Sequence, residues 1–259
     1  MTRLYAIGDI HGQKSMLEEQ LALIDKDGGT AAPVVFLGDY VDRGPDSKGV
    51  IDLFLQGLAE GRDWIFLKGN HDRLFERFLD TGQTHDDMIL SGKRWLHPNL
   101  GGLATLGSYI DLDAALSGAS ASPDQLTRYG FDPLPEALAS PLLDALNAAI
   151  PPAHRAFLDG LQLYHEVDGY VFVHAGVRPG LPLAYQSEQD LLWIRDEFLE
   201  DQRDHGAFVV HGHTSVEAPD MRLNRLNLDT GAGYGRRLST AVFEDGAVYH
   251  LNAMGRARL

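Results

Sequence analysis

The sequence predicts an α/β fold: two packed, mixed β-sheets flanked by helices, with a helical insert at about residues 80–160. Three observations lead there. Five short apolar runs, at 4–12, 34–44, 64–72, 170–176 and 208–214, each break at a glycine near Asp, Asn or His. The stretches between the first three carry apolar stripes at helical spacing. The C-terminal third holds short β-like runs that suggest antiparallel strands.

Each element follows from its residues. LYAIGDIHG (4–12) opens without polar alternation, which is how a strand buried on both faces reads. KSMLEEQLALI then sets Leu17, Leu21 and Ile24 on one helical stripe. VVFLGDYVDRG (34–44) is the second strand, and after Pro45 the pair Asp46 and Ser47 reads as a helix start. Val50, Ile51, Phe54, Leu55 and Leu58 form that helix's stripe. WIFLKGNHD (64–72) is the third strand, followed by Leu74, Phe75 and Phe78 at helical spacing. Strand–helix–strand–helix–strand marks a parallel sheet. The insert contains WLHPNLGGLATLGSY and LPEALASPLLDALNAAIPP, which read as broken helices covering one sheet face. Its place in the chain also lets it wall a site. YVFVHAG (170–176) and FVVHGHT (208–214) complete the five runs, and LNRLNLDT, STAVFED and AVYHLNA supply the antiparallel strands.

The bulk numbers bound the rest. At 259 residues and 44% apolar, residues 1–259 suit one large domain. The chain has no cysteine, so disulfides, thiolate metal sites and a cysteine nucleophile are excluded. That composition suits a cytoplasmic protein. The N-terminus runs straight into a charged motif and lacks the pattern of a signal peptide. No apolar segment is long enough to span a bilayer, so a membrane partner is not expected. A net charge of −15 argues against a nucleic-acid duplex as partner. It would also repel phosphate esters unless bound divalent metals made the site locally cationic.

In open α/β sheets, sites form beyond the carboxyl ends of the strands. All five polar clusters are expected at one such edge. They supply Asp9, His11, Asp39, Asn70, His71, His174, His211 and His213. Carboxylate, imidazole and amide oxygen without sulfur suit Mn²⁺, Fe or Zn²⁺. The donors exceed what one ion needs. Two ions can share a carboxylate and clamp a phosphoryl group, with a hydroxide held between them as nucleophile.

GDIHG (8–12), GDYVDRG (38–44), GNHD (69–72), HAG (174–176) and GHT (212–214) together resemble the ordered signature of the metal-dependent phosphoprotein phosphatases, within the calcineurin-like metallophosphoesterases. HAG, HGHT and LWIRDEF (192–198) look more like the bacterial branch, and LDTGAGYG (228–235) resembles the family's C-terminal strand and turn. The resemblance implies the calcineurin-like fold and two divalent metal ions, Mn²⁺ foremost, with Fe or Zn²⁺ as alternatives. It places Asp9, His11 and Asp39 on the first ion. Asp39 would bridge to the second, joined by Asn70, His174 and His213. His213 is the better match to the family ligand than His211, which is read as a packed or supporting residue. Arg43 and Arg195 match the two arginines that hold phosphate oxygens, a role suited to a planar fork of donors. His71 matches the general acid, and Asp42 would orient it and raise its pKa. Tyr234 falls where the family has an aromatic near the site, as a substrate contact or a rim residue. Asp72 is read as a carboxylate favoured by a helix N-terminus. Trp193 is read as packing that fixes Arg195. The remaining histidines follow no ligand spacing and are read as surface or satisfied core residues.

The activity implied is hydrolysis of phosphate monoesters, foremost by a serine/threonine protein phosphatase acting on phosphorylated protein. An alternative is a dinucleoside polyphosphate (diadenosine tetraphosphate) hydrolase, whose members often lack the acid at the position of Asp42. A third reading is a non-catalytic phosphate-binding scaffold, which the loss of a metal ligand, of His71 or of an arginine would signal. Around the motifs only Arg43 and Arg195 stand out as cations. Lys93, Arg94 and Trp95 of the insert could serve a nucleotide.

Overall fold

A computed structural model describes residues 3–119 and 121–259. Strands β1 (Leu4–Ile7), β2 (Val34–Phe36) and β3 (Trp64–Phe66) run parallel, and helices α1 (Lys14–Gly28) and α2 (Ser47–Ala59) connect them. Helix α3 (Asn70–Thr81) follows β3. The second sheet comprises β4 (Tyr164–Val167), β5 (Tyr170–Val173), β6 (Phe208–His211), β7 (Asp220–Met221) and β8 (Arg225–Asn227), in the order β4-β5-β6-β8-β7. The chain then returns to the first sheet through β9 (Thr240–Glu244), β10 (Ala247–Asn252) and β11 (Gly255–Arg258), giving the order β11-β10-β9-β1-β2-β3. Both sheets are mixed: β1 pairs parallel with β2 and antiparallel with β9, while β5 pairs antiparallel with β4 and parallel with β6.

The unbroken apolar runs have a direct cause. In β1, Tyr5 and Ile7 face the helices, whereas Leu4 and Ala6 face the second sheet. In β2, Val34 and Phe36 face the helices and Val35 the second sheet. Phe172 and Val210 answer from across the gap, and Val171, Val173 and Val209 pack outward against Leu191, Ile194 and Phe198. Each central strand therefore buries both faces, so neither face carries polar alternation.

Two expectations need correction. The five strand ends do not share one sheet edge: three belong to the first sheet and two to the second. The carboxyl ends of both sheets nevertheless converge, because the sheets stack face to face. The run LNRLNLDT contains β8, which pairs parallel with β6 as well as antiparallel with β7. The chain turns back through β7 and so enters β8 in the direction of β6.

The insert is helical, including α4 (Gly102–Tyr109) and the helices Glu136–Ala149 and Pro152–Asp159. It packs on α2 and α3 more than on a sheet face. It reaches the sheet at the β3 edge, where the Phe157 ring meets Phe66 at 4.9 Å. Among the described residues no helix is long and apolar enough to cross a membrane.

Candidate metal centre and cleft

The loops after β1, β2, β3, β5 and β6 meet where the two sheets converge, and their backbones are unusual there. His11, Asp39, Asp42, Arg43 and His213 all have φ between 49° and 73°. For residues with a Cβ this left-handed region costs on the order of 1–2 kcal/mol each. Among the described non-glycine residues only Asp168 and Asp245 share it, and both sit in Asp-Gly hairpin turns that favour it. Strain of this kind persists where the surroundings over-determine it, and it gathers at functional sites.

Two groups of side chains form. His11, Asp39 and His71 bring ligand-type atoms within 4.8 Å of one another, as do Asp39, His174 and His213. Asp39 belongs to both: Oδ2 lies 3.5 Å from His11 Nε2, and Oδ1 lies 3.5 Å from His174 Nε2. Asn70 Oδ1 stands 2.9 Å from His174 Nε2 and 2.8 Å from His213 Nδ1. Asp9 lies outside both groups but adjoins them, accepting the His213 backbone N–H at 3.1 Å. The chains approach so closely that glycine is required. A Cβ on Gly212 would fall 2.0 Å from Asp9 Oδ1, and one on Gly69 would fall 2.2 Å from Asp39 N.

The electrostatics suit a cation. Burial, then the nearby Asp229 and Asp39, push the Asp9 carboxyl well up. Burial lifts Asp39 to about 7 and raises Asp229 as well. Buried carboxylates that oppose one another's ionisation lack positive charge among them. Burial holds His174 down at about 4 and His213 well below the usual range. Burial and Arg43 do the same to His11. Neutral imidazoles and carboxylates are the forms a divalent ion requires. His213 Nε2 is buried without a hydrogen-bond partner. The donor set, nitrogen and oxygen with no sulfur, fits borderline and hard divalent metals.

His71 and Asp42 are paired. His71 Nδ1 lies 2.6 Å from Asp42 Oδ2, and the His71 backbone N–H donates to Asp39 Oδ1 at 2.9 Å. His71 Nε2 lies 3.0 Å from Arg43 Nη2. The shift of the His71 pKa runs in the direction opposite to the expected rise. Burial, then Arg43, hold it well below the ordinary histidine range. Burial raises Asp42, against the Thr105 and Trp95 hydrogen bonds that oppose it.

Asp72 does more than face a helix terminus. It is fully buried and accepts three backbone N–H groups, from Asp39 and Gly69 at Oδ2 and from Tyr40 at Oδ1. It therefore ties the start of α3 to the loop that carries Asp39. His211 is buried, with Nδ1 at 3.1 Å from Gly212 O and its ring edge-on to Phe198. Among the other histidines, His154 is buried between Asp52 and Tyr109.

A cleft of about 670 Å³ opens beside the metal groups, lined by Arg43, Lys93, Trp193, Arg195 and Tyr234 among others. Arg195 is exposed and donates to Thr214 Oγ1 at 3.2 Å. Trp193 sits two positions away and meets the His213 ring edge-on at 6.0 Å. The Arg43 guanidinium lies 4.8 Å above the ring of Tyr234, which is 61% exposed. Of the three insert residues expected to serve a nucleotide, only Lys93 lines the cleft. Trp95 is fully buried, so no base can stack on it, and Arg94 Nε donates to Phe131 O.

Sequence reasoning missed Asp229 and Thr105, and it missed that Trp95 meets Asp42. Asp229 carried a signal, because LDTG follows β8 as GDIHG follows β1: strand, then Asp, then Gly. Trp95 and Thr105 carried none, since they meet Asp42 across 53 and 63 positions.

Among proteins of known function, a bis(5′-nucleosyl)-tetraphosphatase PrpE (asymmetrical) of Oceanobacillus iheyensis is 27% identical over 248 residues, 92% of this chain and 88% of that protein. The protein of the same name from Bacillus subtilis is 27% identical over 254 residues, 92% and 90% of the two chains. Among solved structures, a candidate diadenosine tetraphosphatase superposes with a TM-score of 0.60 at 22% identity, covering 96% of this chain and 92% of that one. A cold-active protein-tyrosine phosphatase of a Shewanella species gives 0.54 at 15% identity, covering 100% and 80%. These superpositions show a shared fold. The calcineurin-like phosphoesterase family model matches residues 2–234, a span that includes every loop of the metal groups. With two mixed sheets meeting at a histidine and carboxylate centre, the chain belongs to the calcineurin-like phosphoesterase family.

Proposed function

We propose that this protein is a metal-dependent phosphoesterase that hydrolyses dinucleoside polyphosphates, cutting a tetraphosphate into unequal parts. The observation that carries the reading is the match, over 92% of this chain, to relatives named asymmetrical bis(5′-nucleosyl)-tetraphosphatases. The cleft supports it. Lys93 adds a cation to Arg43 and Arg195 for the extra phosphates, and Tyr234 and Trp193 offer aromatic surface for a nucleoside.

Asp9, His11 and Asp39 would hold one divalent ion, and Asp39, Asn70, His174 and His213 a second, with Mn²⁺ the metal we propose. Such ions supply Lewis acidity to the phosphoryl group and to an attacking water. The protein's own groups do the rest. Arg43 now leans on His11 and His71. A substrate phosphate would draw its guanidinium away into a bidentate contact, with Arg195 on the other side. That movement removes a cation that, with burial, holds His71 neutral and frees Nε2 to take up a proton and pass it to the departing oxygen, while Asp42 accepts from Nδ1–H.

The Asp42–His71 pair favours a second reading, phosphoserine or phosphothreonine hydrolysis, because an alkoxide needs a proton to leave far more than a phosphate does. The two readings separate by initial rates with Mn²⁺ on one preparation. Diadenosine tetraphosphate is expected to exceed a phosphoserine peptide in kcat/KM by at least about tenfold, a transition-state difference near 1.4 kcal/mol. Chromatography should show a nucleoside triphosphate and a monophosphate as products. A peptide preference of that size, or two diphosphates as products, overturns the reading.

A further inference from the structure

Asp42 is gripped by the insert. Trp95 Nε1 donates to both carboxylate oxygens, at 3.0 and 2.9 Å, and Thr105 Oγ1 donates to Oδ1 at 2.6 Å. The Thr105 oxygen accepts the Asp42 backbone N–H at 2.8 Å, and Ser47 Oγ accepts it at 3.1 Å. Trp95, Thr105 and Asp42 are fully buried, and His71 is nearly so. The same stretch holds the next residue: Gly101 O accepts the Arg43 backbone N–H, and Asn99 O accepts from Arg43 Nε.

We infer that Trp95 and Thr105 are positioning residues that aim the Asp42–His71 pair, so that the insert sets the direction of the proton donor. The inference rests on the reading of the site as a phosphoesterase with His71 as acid. A carboxylate is a pure acceptor and can turn about its Cβ–Cγ bond. Bound to one imidazole alone it would swing with that ring. Donors fixed on a separate element remove that freedom, and outer partners of this kind hold a histidine in one tautomer and orientation. Trp95 is itself immobile. Its ring stacks on Phe75 at 5.7 Å and leans on Phe78 at 5.0 Å. A Cβ on Gly102 would come within 2.5 Å of it. Packing alone would be served by an all-carbon ring, which brings no N–H that must be satisfied. The indole N–H between the two Asp42 oxygens is the feature that packing leaves unexplained.

The test compares Trp95→Phe, Thr105→Val and Thr105→Ser with His71→Asn on the manganese-loaded enzyme. One substrate is p-nitrophenyl phosphate, whose leaving group needs no proton, and the other is a phosphoserine peptide, whose leaving group does. His71→Asn should lose about 10²–10⁴-fold on the peptide and little on the aryl ester. Trp95→Phe and Thr105→Val should each lose about tenfold on the peptide and under about twofold on the aryl ester, a fraction of the full acid effect. Thr105→Ser, which keeps the hydroxyl, should restore the wild-type ratio. Proton NMR of the zinc-loaded protein gives a readout apart from turnover. The His71 Nδ1–H resonance, assigned by its absence in His71→Asn, should shift or broaden in both donor-deleted variants. If Trp95→Phe fails to fold, Thr105→Val, which keeps the side-chain volume, decides alone. Equal losses on both substrates in His71→Asn would overturn the acid reading and this inference with it. A normal His71→Asn pattern, with wild-type ratio and resonance in Thr105→Val, would overturn the positioning role alone.

Discussion

Asp39 Oδ1 faces His174 Nε2 across 3.5 Å, and the carboxylate's other oxygen faces His11 Nε2 across the same distance. No other residue belongs to both ligand-type groups found among the described residues. Asp39→Asn should therefore lower metal binding at both positions. The loss at each should exceed the roughly 10–100-fold that removal of an outer partner costs. His213→Ala should chiefly empty the second. Metal analysis of the purified variants after dialysis checks this. Full stoichiometry in Asp39→Asn would show that this carboxylate is not shared.

Asp72 predicts a stability effect. Two of its three accepted amides, Asp39 and Tyr40, lie in the Asp39 loop and the third, Gly69, leads into α3, and none has solvent as a substitute. Leaving a buried donor unpaired costs on the order of 1–3 kcal/mol. Asp72→Ala should therefore lower stability by several kcal/mol in total, and it should loosen metal binding because Asp39 loses its support. Urea unfolding with and without Mn²⁺ measures both. A variant of wild-type stability would return Asp72 to the smaller role of a helix-terminal charge.

The distribution of what was legible follows from how far apart the contacts lie in the chain. Central strands bury both faces, so Leu4–Ile7 and Val34–Phe36 announce themselves as unbroken apolar runs. The metal-group residues sit directly after such runs and are read from local pattern. β4 has alternately exposed residues and no apolar run, so it escapes notice, although the Asp168-Gly169 turn that follows is a hairpin signal. The insert shows its helical character but not its partners. That Trp95 holds Asp42 and cannot stack on a base depends on a contact across 53 positions. The pairing of Asp229 with Asp9 is likewise a matter of tertiary approach.

The edge of the first sheet carries a pH-dependent tie. Arg256 of β11 meets Asp27 of α1 through Nε at 2.9 Å and Nη2 at 2.7 Å, and Tyr5 OH donates to Asp27 at 2.6 Å. Burial pushes the Asp27 carboxyl up, but the Arg256 and Tyr5 hydrogen bonds outweigh it and hold it below its ordinary value. A carboxyl depressed in the folded state adds stability above its unfolded pKa, about 3.9, and that stability is lost as pH falls through the folded value. Asp27→Asn should thus cost on the order of 1 kcal/mol at pH 7, a modest figure because the pair is partly exposed. The difference from wild type should shrink steadily below about pH 4. Melting temperatures taken from pH 7 downward test the sign. A gap that widens with acid would contradict it.

Lys93 offers the sharpest test of how the cleft chooses its ester. It lines the cleft with Arg43 and Arg195 and is not one of the ligand-type residues of the two metal groups. Under the proposed polyphosphate reading, a cation in that position would bind phosphates beyond the one being cut. Such binding is the same in ground and transition states, and its loss appears in KM with kcat unchanged. Lys93→Ala should raise KM for diadenosine tetraphosphate by about three- to tenfold, the range expected of one partly solvated charge contact. It should leave p-nitrophenyl phosphate, which has a single phosphate, within about twofold. The KM penalty should fade as salt rises, because exposed charge contacts are screened within about 10 Å at 0.1 M ionic strength. Equal effects on the two substrates would mean that Lys93 shapes the cleft and does not read the polyphosphate.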